Sequence, residues 1–172
     1  GAPMTVSDMF ENAKKNIEYI RSSSFLMGAK LPFLLIENNN HLGPDAYDVV
    51  TDASFLSQLT DHFNINFLLD IAHAKITAHN KSLNESKYFS TLPLDRTLQV
   101  HLSRHRSNEE KYVDAHDALQ NEDWEFFWRL QKSIPNLRYT TIEYYKSFPI
   151  LIDMLAYLKS EIDRNSEGGV DA

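Results

Sequence analysis

Four short runs of apolar or β-branched residues, each followed directly by a residue able to bind a metal, constrain the fold of this chain most strongly. Each run spans only four to six residues, which is the length of an ordinary strand. Near-continuous apolarity is typical of strands that are buried on both faces of a parallel sheet. We therefore predict four strands, over residues 31–36, 65–69, 97–100 and 139–142.

Helical patterns separate these runs. Thr5 and Asp8 form a predicted capping box at the start of a helix that precedes the first strand. Further helices are predicted from about Asp52, over residues 86–92, from about Asn121 and from Phe148. Alternation of strands and helices predicts an α/β fold with a parallel sheet and right-handed crossovers.

Four βα units do not close a (β/α)₈ barrel, which needs eight. The sequence therefore predicts either a small open α/β sheet or a TIM-barrel-like half-barrel preceded by a helix. No glycine-rich phosphate loop follows any of the four strands, so the nucleotide-binding form of the open sheet lacks its usual signature.

The length of 172 residues suits one domain with a hydrophobic core. We assign residues 1–3, which precede Met4, to a cloning scar. We expect the single α/β domain to span residues 4–162. The polar residues 163–172 are predicted to form a flexible tail.

Composition excludes several classes of function. The net charge of −7 argues against a nucleic-acid partner, because phosphate binding needs clustered Lys and Arg. No run approaches the roughly 20 apolar residues of a membrane span, and no secretory signal is apparent, so we expect a cytoplasmic protein. The chain has no cysteine, which leaves any metal to carboxylate and imidazole ligands.

The residues that follow the four strands predict a metal site. Aligning the strands by their last apolar residue brings Glu37, Asp70, His101 and Glu143 into register. The carboxyl ends of parallel strands carry the ligand site in α/β folds. A single polar residue at such a position is explained by the chain leaving a buried strand and reaching solvent. Four residues that can bind a metal, each at the same position after its strand, favour a shared site.

Other polar residues extend this candidate site. His73 follows Asp70 by three residues, and Asp114 and His116 would point the same way if their segment is extended. His105 is a candidate ligand or a hydrogen-bond donor to one. Asn38 either orients ligands or supports a turn, and Tyr144 either faces the site or packs in the core.

The order and spacing of these motifs resemble the multinuclear non-haem iron-dependent oxidative enzymes, a family that includes the iron-binding subunits of methanobactin biosynthesis. The resemblance runs from about Leu31 to Leu158. It implies a xylose-isomerase-like TIM barrel with two or three iron ions, which uses O₂ to modify cysteine or other residues of a ribosomally made precursor peptide. It also implies a partner protein that presents the peptide.

Carried over by position, the resemblance implies metal ligation by seven residues: Glu37, Asp70, His73, His101, Asp114, His116 and Glu143. The family barrel has further βα units before the segment that resembles this chain. We therefore expect either a homo-oligomer that completes the barrel or an N-terminal half elsewhere in the protein.

Two other readings of the residues stay open. A metal-dependent isomerase or hydrolase of the xylose-isomerase-like class would hold manganese or zinc at the same strand ends. An inactive half-barrel would bind a partner and keep its ligand residues without catalysis.

Overall fold

A parallel four-stranded sheet lies at the centre of the structure. The computed structural model of the chain describes residues 5–26, 28, 33–44, 46–108 and 110–167. In chain order the strands are β1 (Leu35–Glu37), β2 (Asn66–Asp70), β3 (Thr97–Leu102), β4 (Arg104–Asn108), β5 (Lys111–Asp117) and β6 (Tyr139–Ile142). The central sheet has the order β1-β2-β3-β6, and β4 and β5 form a separate antiparallel hairpin.

Helices connect the parallel strands. In chain order they are α1 (Val6–Leu26), α2 (Ala46–Val50), α3 (Ala53–Phe63), α4 (Ile71–Asn80), α5 (Glu85–Thr91), α6 (Asn121–Gln131) and α7 (Phe148–Glu167). A short 3₁₀ turn, Leu94–Arg96, leads into β3. The predicted α/β architecture with a parallel sheet of four strands is confirmed.

The register of the sheet aligns the strand ends. Asp70 at the end of β2 lies opposite His101 in β3, and Leu102 lies opposite Ile142 at the end of β6. On the other side of β2, Glu37 pairs with Leu68. The polar residues that terminate the strands therefore meet at one edge of the sheet.

Apolar side chains of the two middle strands form the centre of the core. Phe67, Leu69 and Val100 are fully buried. Trp124 and Phe127 of α6 belong to the same cluster. This packing fixes α6 against the sheet.

The capping box predicted for α1 is present. The backbone N–H of Asp8 donates to the Thr5 hydroxyl at 3.1 Å, and the N–H of Thr5 donates to the Asp8 carboxylate at 3.0 Å. Asp52 caps α3 in a related way, because its carboxylate accepts from the N–H of Phe55 at 3.0 Å. Local polar residues thus set these two helix starts, of which the first cap and the approximate start of the second helix were predicted.

Helices α2 and α4 were not predicted. The residues of α4 from Ile71 to Ala78 are buried except at His73. A helix that is buried on every side has no apolar stripe, so its sequence lacks the period of 3.6 residues that identifies an amphipathic helix. The five residues of α2 are too few for a periodic signal.

The β4–β5 hairpin occupies a region for which the sequence analysis predicted neither a strand nor a helix. The sequence of β4 is Arg-His-Arg-Ser-Asn, which contains no apolar alternation. Its partner strand is held instead by polar contacts: Arg106 donates two hydrogen bonds to Asp117, and the Asn80 side chain donates to and accepts from the backbone of Tyr112. These contacts attach the hairpin to the end of α4.

Helix α7 extends to Glu167, so residues 163–167 are helical where the sequence predicted a flexible tail. Two ion pairs support the last turns, between Lys159 and Asp163 and between Arg164 and Glu161.

Three predicted segments lie outside the described residues: the cloning scar, the first two residues of the predicted strand at 31–36, and residues 168–172 of the tail. Among the helices that the structure describes, none combines the length and apolarity that crossing a membrane demands.

Asp123 links three elements of the fold. Its carboxylate accepts from the backbone N–H of Gln120 at 3.1 Å, from Arg104 of β4 at 2.6 Å and from Lys75 of α4 at 3.3 Å. Burial by itself raises the pKa of Asp123, but the Gln120 hydrogen bond and the positive charges of Lys75 and Arg104 lower it overall. The ionised carboxylate is therefore part of the folded state.

We expect Asp123→Asn to lower the free energy of unfolding by about 2 kcal/mol at neutral pH, because it removes the charge that pairs with Lys75 and Arg104. A depressed pKa gives stability that is complete above the pKa of the unfolded chain and is lost as the pH falls through the folded value. The difference between wild type and variant should thus shrink below about pH 4. Urea unfolding at several pH values measures this difference.

Asp61→Asn is the matched control, because Asp61 forms an exposed ion pair with Arg96 at 3.0 Å. Its loss should change stability by less than about 1 kcal/mol. Equal effects of the two substitutions would contradict the role assigned to Asp123.

Candidate metal centre

The side chain of Asn38 joins the ends of β1 and β2. Its amide nitrogen donates to the backbone carbonyl of Asp70 at 2.9 Å, and its amide oxygen accepts from the N–H of Asp70 at 2.8 Å. Asn38 is fully buried. The side chain continues the pairing of the two strands by one position, and this reciprocal contact fixes Asp70 at the sheet edge.

Asp70 uses one carboxylate oxygen structurally and leaves the other without a partner. Oδ1 accepts from the backbone N–H of His73 at 2.7 Å and caps α4. Oδ2 is buried and has no hydrogen-bond partner among the described residues. Burial raises the pKa of Asp70 to about 6, with smaller contributions from the nearby charges. A buried carboxylate oxygen without a partner is costly unless a cation or proton neutralises it.

Six other side chains form a closed ring in which carboxylates and imidazoles alternate. We call this the carboxylate–imidazole ring; its members are Glu37, His73, Asp114, His116, Glu143 and His101. In that order, the nitrogen–oxygen distances between neighbours are 3.9, 3.5, 3.1, 3.7, 3.0 and 3.4 Å, the last closing the ring from His101 to Glu37. The sequence-predicted ligands, which span 107 positions of the chain from Glu37 to Glu143, are therefore brought together.

Asp70 lies close to two different pairs of ring members. One atom from each of Glu37, Asp70 and His73 lies within 4.8 Å of the others, and the same holds for Asp70, His101 and Glu143. Asp70 is thus common to two adjacent sets of three ligand atoms. A carboxylate shared by two sets can bridge two cations.

Backbone carbonyls orient two of the imidazoles. Nδ1 of His73 lies 2.9 Å from the carbonyl oxygen of Asn38, and Nδ1 of His116 lies 3.2 Å from that of Glu143. A carbonyl only accepts, so the ring proton of each neutral histidine is on Nδ1. Nε2 of both rings then carries a lone pair, and both face Oδ2 of Asp114. This is the arrangement that metal-binding histidines commonly adopt.

The backbone at His116 is bent to bring its side chain to the ring. His116 has a φ of 45°, in the left-handed region that is unfavourable for a residue with a Cβ. The hairpin pairing is irregular here, since Arg104 lies opposite Asp117 whereas Arg106 lies opposite Val113. Residues 114–116 thus form a bulge, which re-aims side chains at functional sites. The segment lies in strand β5 and is extended, as the sequence argument required, except at His116.

His101 presents one nitrogen to the carboxylates. Its Nδ1 is buried and, in the part of the chain that the structure describes, has no hydrogen-bond partner, although it lies 3.0 Å from Glu143 and 3.4 Å from Glu37. Burial alone lowers the pKa of His101, but the nearby carboxylates of Glu37, Glu143 and Asp70 raise it. The Asp70, Asp114 and Glu37 carboxylates likewise raise the pKa of His73 against the opposing effect of its burial.

Three further candidates have different positions. Asn38 orients Asp70 and His73, which agrees with the first of its two predicted roles. His105 lies outside both sets of converging ligand atoms in the described part of the chain and stacks on Tyr112 at 4.2 Å between ring centroids. Tyr144 is buried in the core, which agrees with packing rather than with a place at the site.

Sequence reasoning missed Gln99. It precedes His101 by two residues in β3, so the two side chains lie on the same face of the sheet, and its amide nitrogen lies 3.1 Å from Nε2 of His101. The period of two in strands was the signal that could have identified it, because Leu98, Val100 and Leu102 are buried while Gln99 and His101 are half-buried.

The side chains fit a cluster of hard or borderline cations. Four carboxylates and three imidazoles supply oxygen and nitrogen ligands, and Oδ2 of Asp70, Oδ1 of Asp114 and Nδ1 of His101 are buried atoms without hydrogen-bond partners. With the carboxylates ionised and the imidazoles neutral, the seven residues carry a formal charge of −4. Two divalent cations would neutralise that charge.

Comparison with known proteins identifies the family. The family described as "RiPP precursor modification enzyme MbnB/TglH/ChrH" matches residues 12–164. This chain belongs to that family. The membership confirms the resemblance to multinuclear non-haem iron-dependent oxidative enzymes.

Three curated relatives are named as UPF0276 proteins. The protein of Caulobacter vibrioides is 32% identical over 84 residues, which are 49% of this chain and 30% of the relative. The protein of Paraburkholderia phytofirmans is 26% identical over 100 residues, 55% of this chain and 33% of the relative. The protein of Acaryochloris marina is 28% identical over 83 residues, 48% of this chain and 30% of the relative. The matches thus cover about a third of the length of each relative.

We expect Asn38→Ala to lower the free energy of unfolding by about 3 kcal/mol, because the N–H and C=O of Asp70 lose their buried partners. Chemical denaturation measures this loss. The neighbouring Asn39 is exposed, so Asn39→Ala should cost less than about 1 kcal/mol. Equal losses in the two variants would contradict the role of the Asn38 side chain.

Proposed function

We propose that this chain carries the metal-binding part of an oxidative enzyme that binds two or three iron ions and uses O₂ to modify cysteine or other residues of a precursor peptide. The observation that supports the proposal is the carboxylate–imidazole ring around Asp70. Bound iron would supply the activation of O₂ and the oxidation of the peptide residue. Family membership supports the peptide as the class of substrate.

The proposed ligands have different roles in holding the ions. Asp70 would help to hold both ions, because it belongs to both converging sets of three ligand atoms. Glu37 and His73 would hold one ion with it, and His101 and Glu143 would hold the other. Asp114 and His116 complete the ring from the hairpin. Their Nε2–Oδ2 distance of 3.1 Å supports binding to a shared cation.

We further propose that the four-stranded sheet is half of a xylose-isomerase-like TIM barrel. The parallel order β1-β2-β3-β6 and the ligands at the carboxyl edge support this. A second half, from another part of a longer protein or from a second copy, would pair with β1 and β6 and would add ligands. The precursor peptide and a peptide-presenting protein are the partners that we propose for the complete enzyme.

Asp70→Asn tests the bridging role. Asparagine retains the helix cap, because its Oδ1 still accepts from the N–H of His73, but it cannot bridge two cations as a carboxylate does. Full-length protein is loaded anaerobically with Fe(II), freed of excess metal and analysed for iron. We expect wild type to retain about two irons per chain, Glu143→Gln and His101→Ala about one, and Asp70→Asn almost none.

Asp52→Asn is the matched control, since Asp52 also caps a helix but lies outside the ring. It should retain the iron of wild type. Equal iron in Asp70→Asn and wild type would remove Asp70 from the site. Exclusive retention of zinc or manganese in wild type would favour an isomerase or hydrolase, and no bound metal would refute both metal-dependent readings.

A second experiment tests the chemistry. The gene is co-expressed with precursor-peptide genes from its own genomic neighbourhood, and the peptides are analysed by mass spectrometry. The proposal expects a mass change at cysteine or another residue that requires O₂ and disappears in Asp70→Asn. A peptide left unmodified by an iron-loaded complete protein would contradict the oxidative function.

A further inference from the structure

Gln99 contacts His101. In the described structure, the rings of the proposed ligands His73 and His116 each contact a backbone carbonyl, whereas the ring of His101 does not. The amide nitrogen of Gln99 lies 3.1 Å from Nε2 of His101 and 3.0 Å from the hydroxyl of Thr141. Thr141 lies directly opposite His101 in the pairing of β3 with β6. The amide is therefore held between a ligand and a hydroxyl on the neighbouring strand.

The two nitrogens of His101 have opposite surroundings. Nδ1 faces Glu143 and Glu37 at 3.0 and 3.4 Å and has no hydrogen-bond partner, whereas Nε2 faces the amide of Gln99. A cation among the carboxylates would need the lone pair of Nδ1. The ring proton of neutral His101 would then have to be on Nε2, and a proton there needs an acceptor.

The Gln99 side chain can supply that acceptor. Rotation of the amide by about 180° exchanges its nitrogen and oxygen with little change in shape. The amide oxygen would then accept from Nε2–H of His101. It would also accept from Thr141, because a hydroxyl can donate as well as accept. The contacts with His101 and with Thr141 are therefore present in either orientation of the amide, and Thr141 holds the amide in place in both orientations.

We infer that Gln99 is a positioning residue: its amide oxygen accepts the Nε2 proton of His101 and thereby directs the Nδ1 lone pair of His101 to the proposed cation. For His73 and His116 the carbonyls of Asn38 and Glu143 have the equivalent role, but they bind Nδ1 and leave Nε2 to the cation. His101 is held the other way round. This inference rests on the proposed metal function.

Substitutions that either remove or keep a hydrogen-bond acceptor at position 99 test the inference. Gln99→Leu removes the acceptor, and we expect it to weaken the affinity for Zn(II) and for anaerobic Fe(II) by about 10–100-fold. Gln99→Glu supplies an acceptor that cannot donate when ionised, so its affinity should stay within about threefold of wild type or increase. Gln58→Leu, at an exposed glutamine of α3, is the matched control and should leave affinity unchanged.

Nitrogen NMR of the Zn(II)-loaded wild-type chain gives a readout independent of activity and of variant folding. Two-bond ¹H–¹⁵N spectra should show His101 bound through Nδ1 and protonated on Nε2, whereas His73 and His116 should be protonated on Nδ1. Zinc on Nε2 of His101 would overturn the inference. So would wild-type affinity in Gln99→Leu, or an equal loss of affinity in Gln99→Leu and Gln99→Glu.

These results are distinguishable from failure of the proposed function. If wild type binds iron and Asp70→Asn does not, the metal site stands whatever the Gln99 variants show. If wild type binds neither Zn(II) nor Fe(II), both the function and the inference fall.

Discussion

The hydrogen bonds between the Asn38 side chain and the backbone of Asp70 determine the geometry of the site. They join the ends of β1 and β2 beyond the last paired residues and fix the Asp70 backbone. From that fixed point Asp70 caps α4, and the first turn of α4 brings His73 back to the carbonyl of Asn38. One buried amide thus positions a proposed bridging carboxylate and a proposed ligand imidazole together.

The ring around Asp70 concentrates negative charge in a half-buried place. Each carboxylate there has an imidazole neighbour, yet several buried ligand atoms have no hydrogen-bond partner. A fold held only by its own contacts would be more stable if these atoms were paired or replaced by apolar groups. The cost is understandable if the ring is complementary to cations, and this is the physical basis of the proposed function.

The hairpin shows how local strain serves the same geometry. His116 takes a left-handed backbone conformation in a bulge, which costs roughly 1–3 kcal/mol in a residue with a Cβ. Packing of the hairpin against α4 compensates for this cost: the Tyr112 ring stacks on His79 at 3.7 Å between ring centroids, and the Tyr112 backbone exchanges hydrogen bonds with the Asn80 side chain. The strand that supplies Asp114 and His116 is therefore attached to the helix that supplies His73.

The sequence by itself determined the four parallel strands, most of the helices and the seven side chains that meet at one sheet edge. Those features follow from local patterns: apolar runs, helical spacing, caps and the polar residue after each strand. It also determined the family, through the order of short motifs that later comparison confirmed.

Only the tertiary structure decided how those side chains relate to one another. The fully buried α4 lacks a periodic pattern, and the polar β4–β5 hairpin is stabilised by contacts with distant residues, so neither could be predicted locally. The same holds for the closure of the ring, the sharing of Asp70 and the contact of Gln99 with His101. Each depends on the register between strands and on the positions of residues far apart in the chain, which no local sequence pattern specifies.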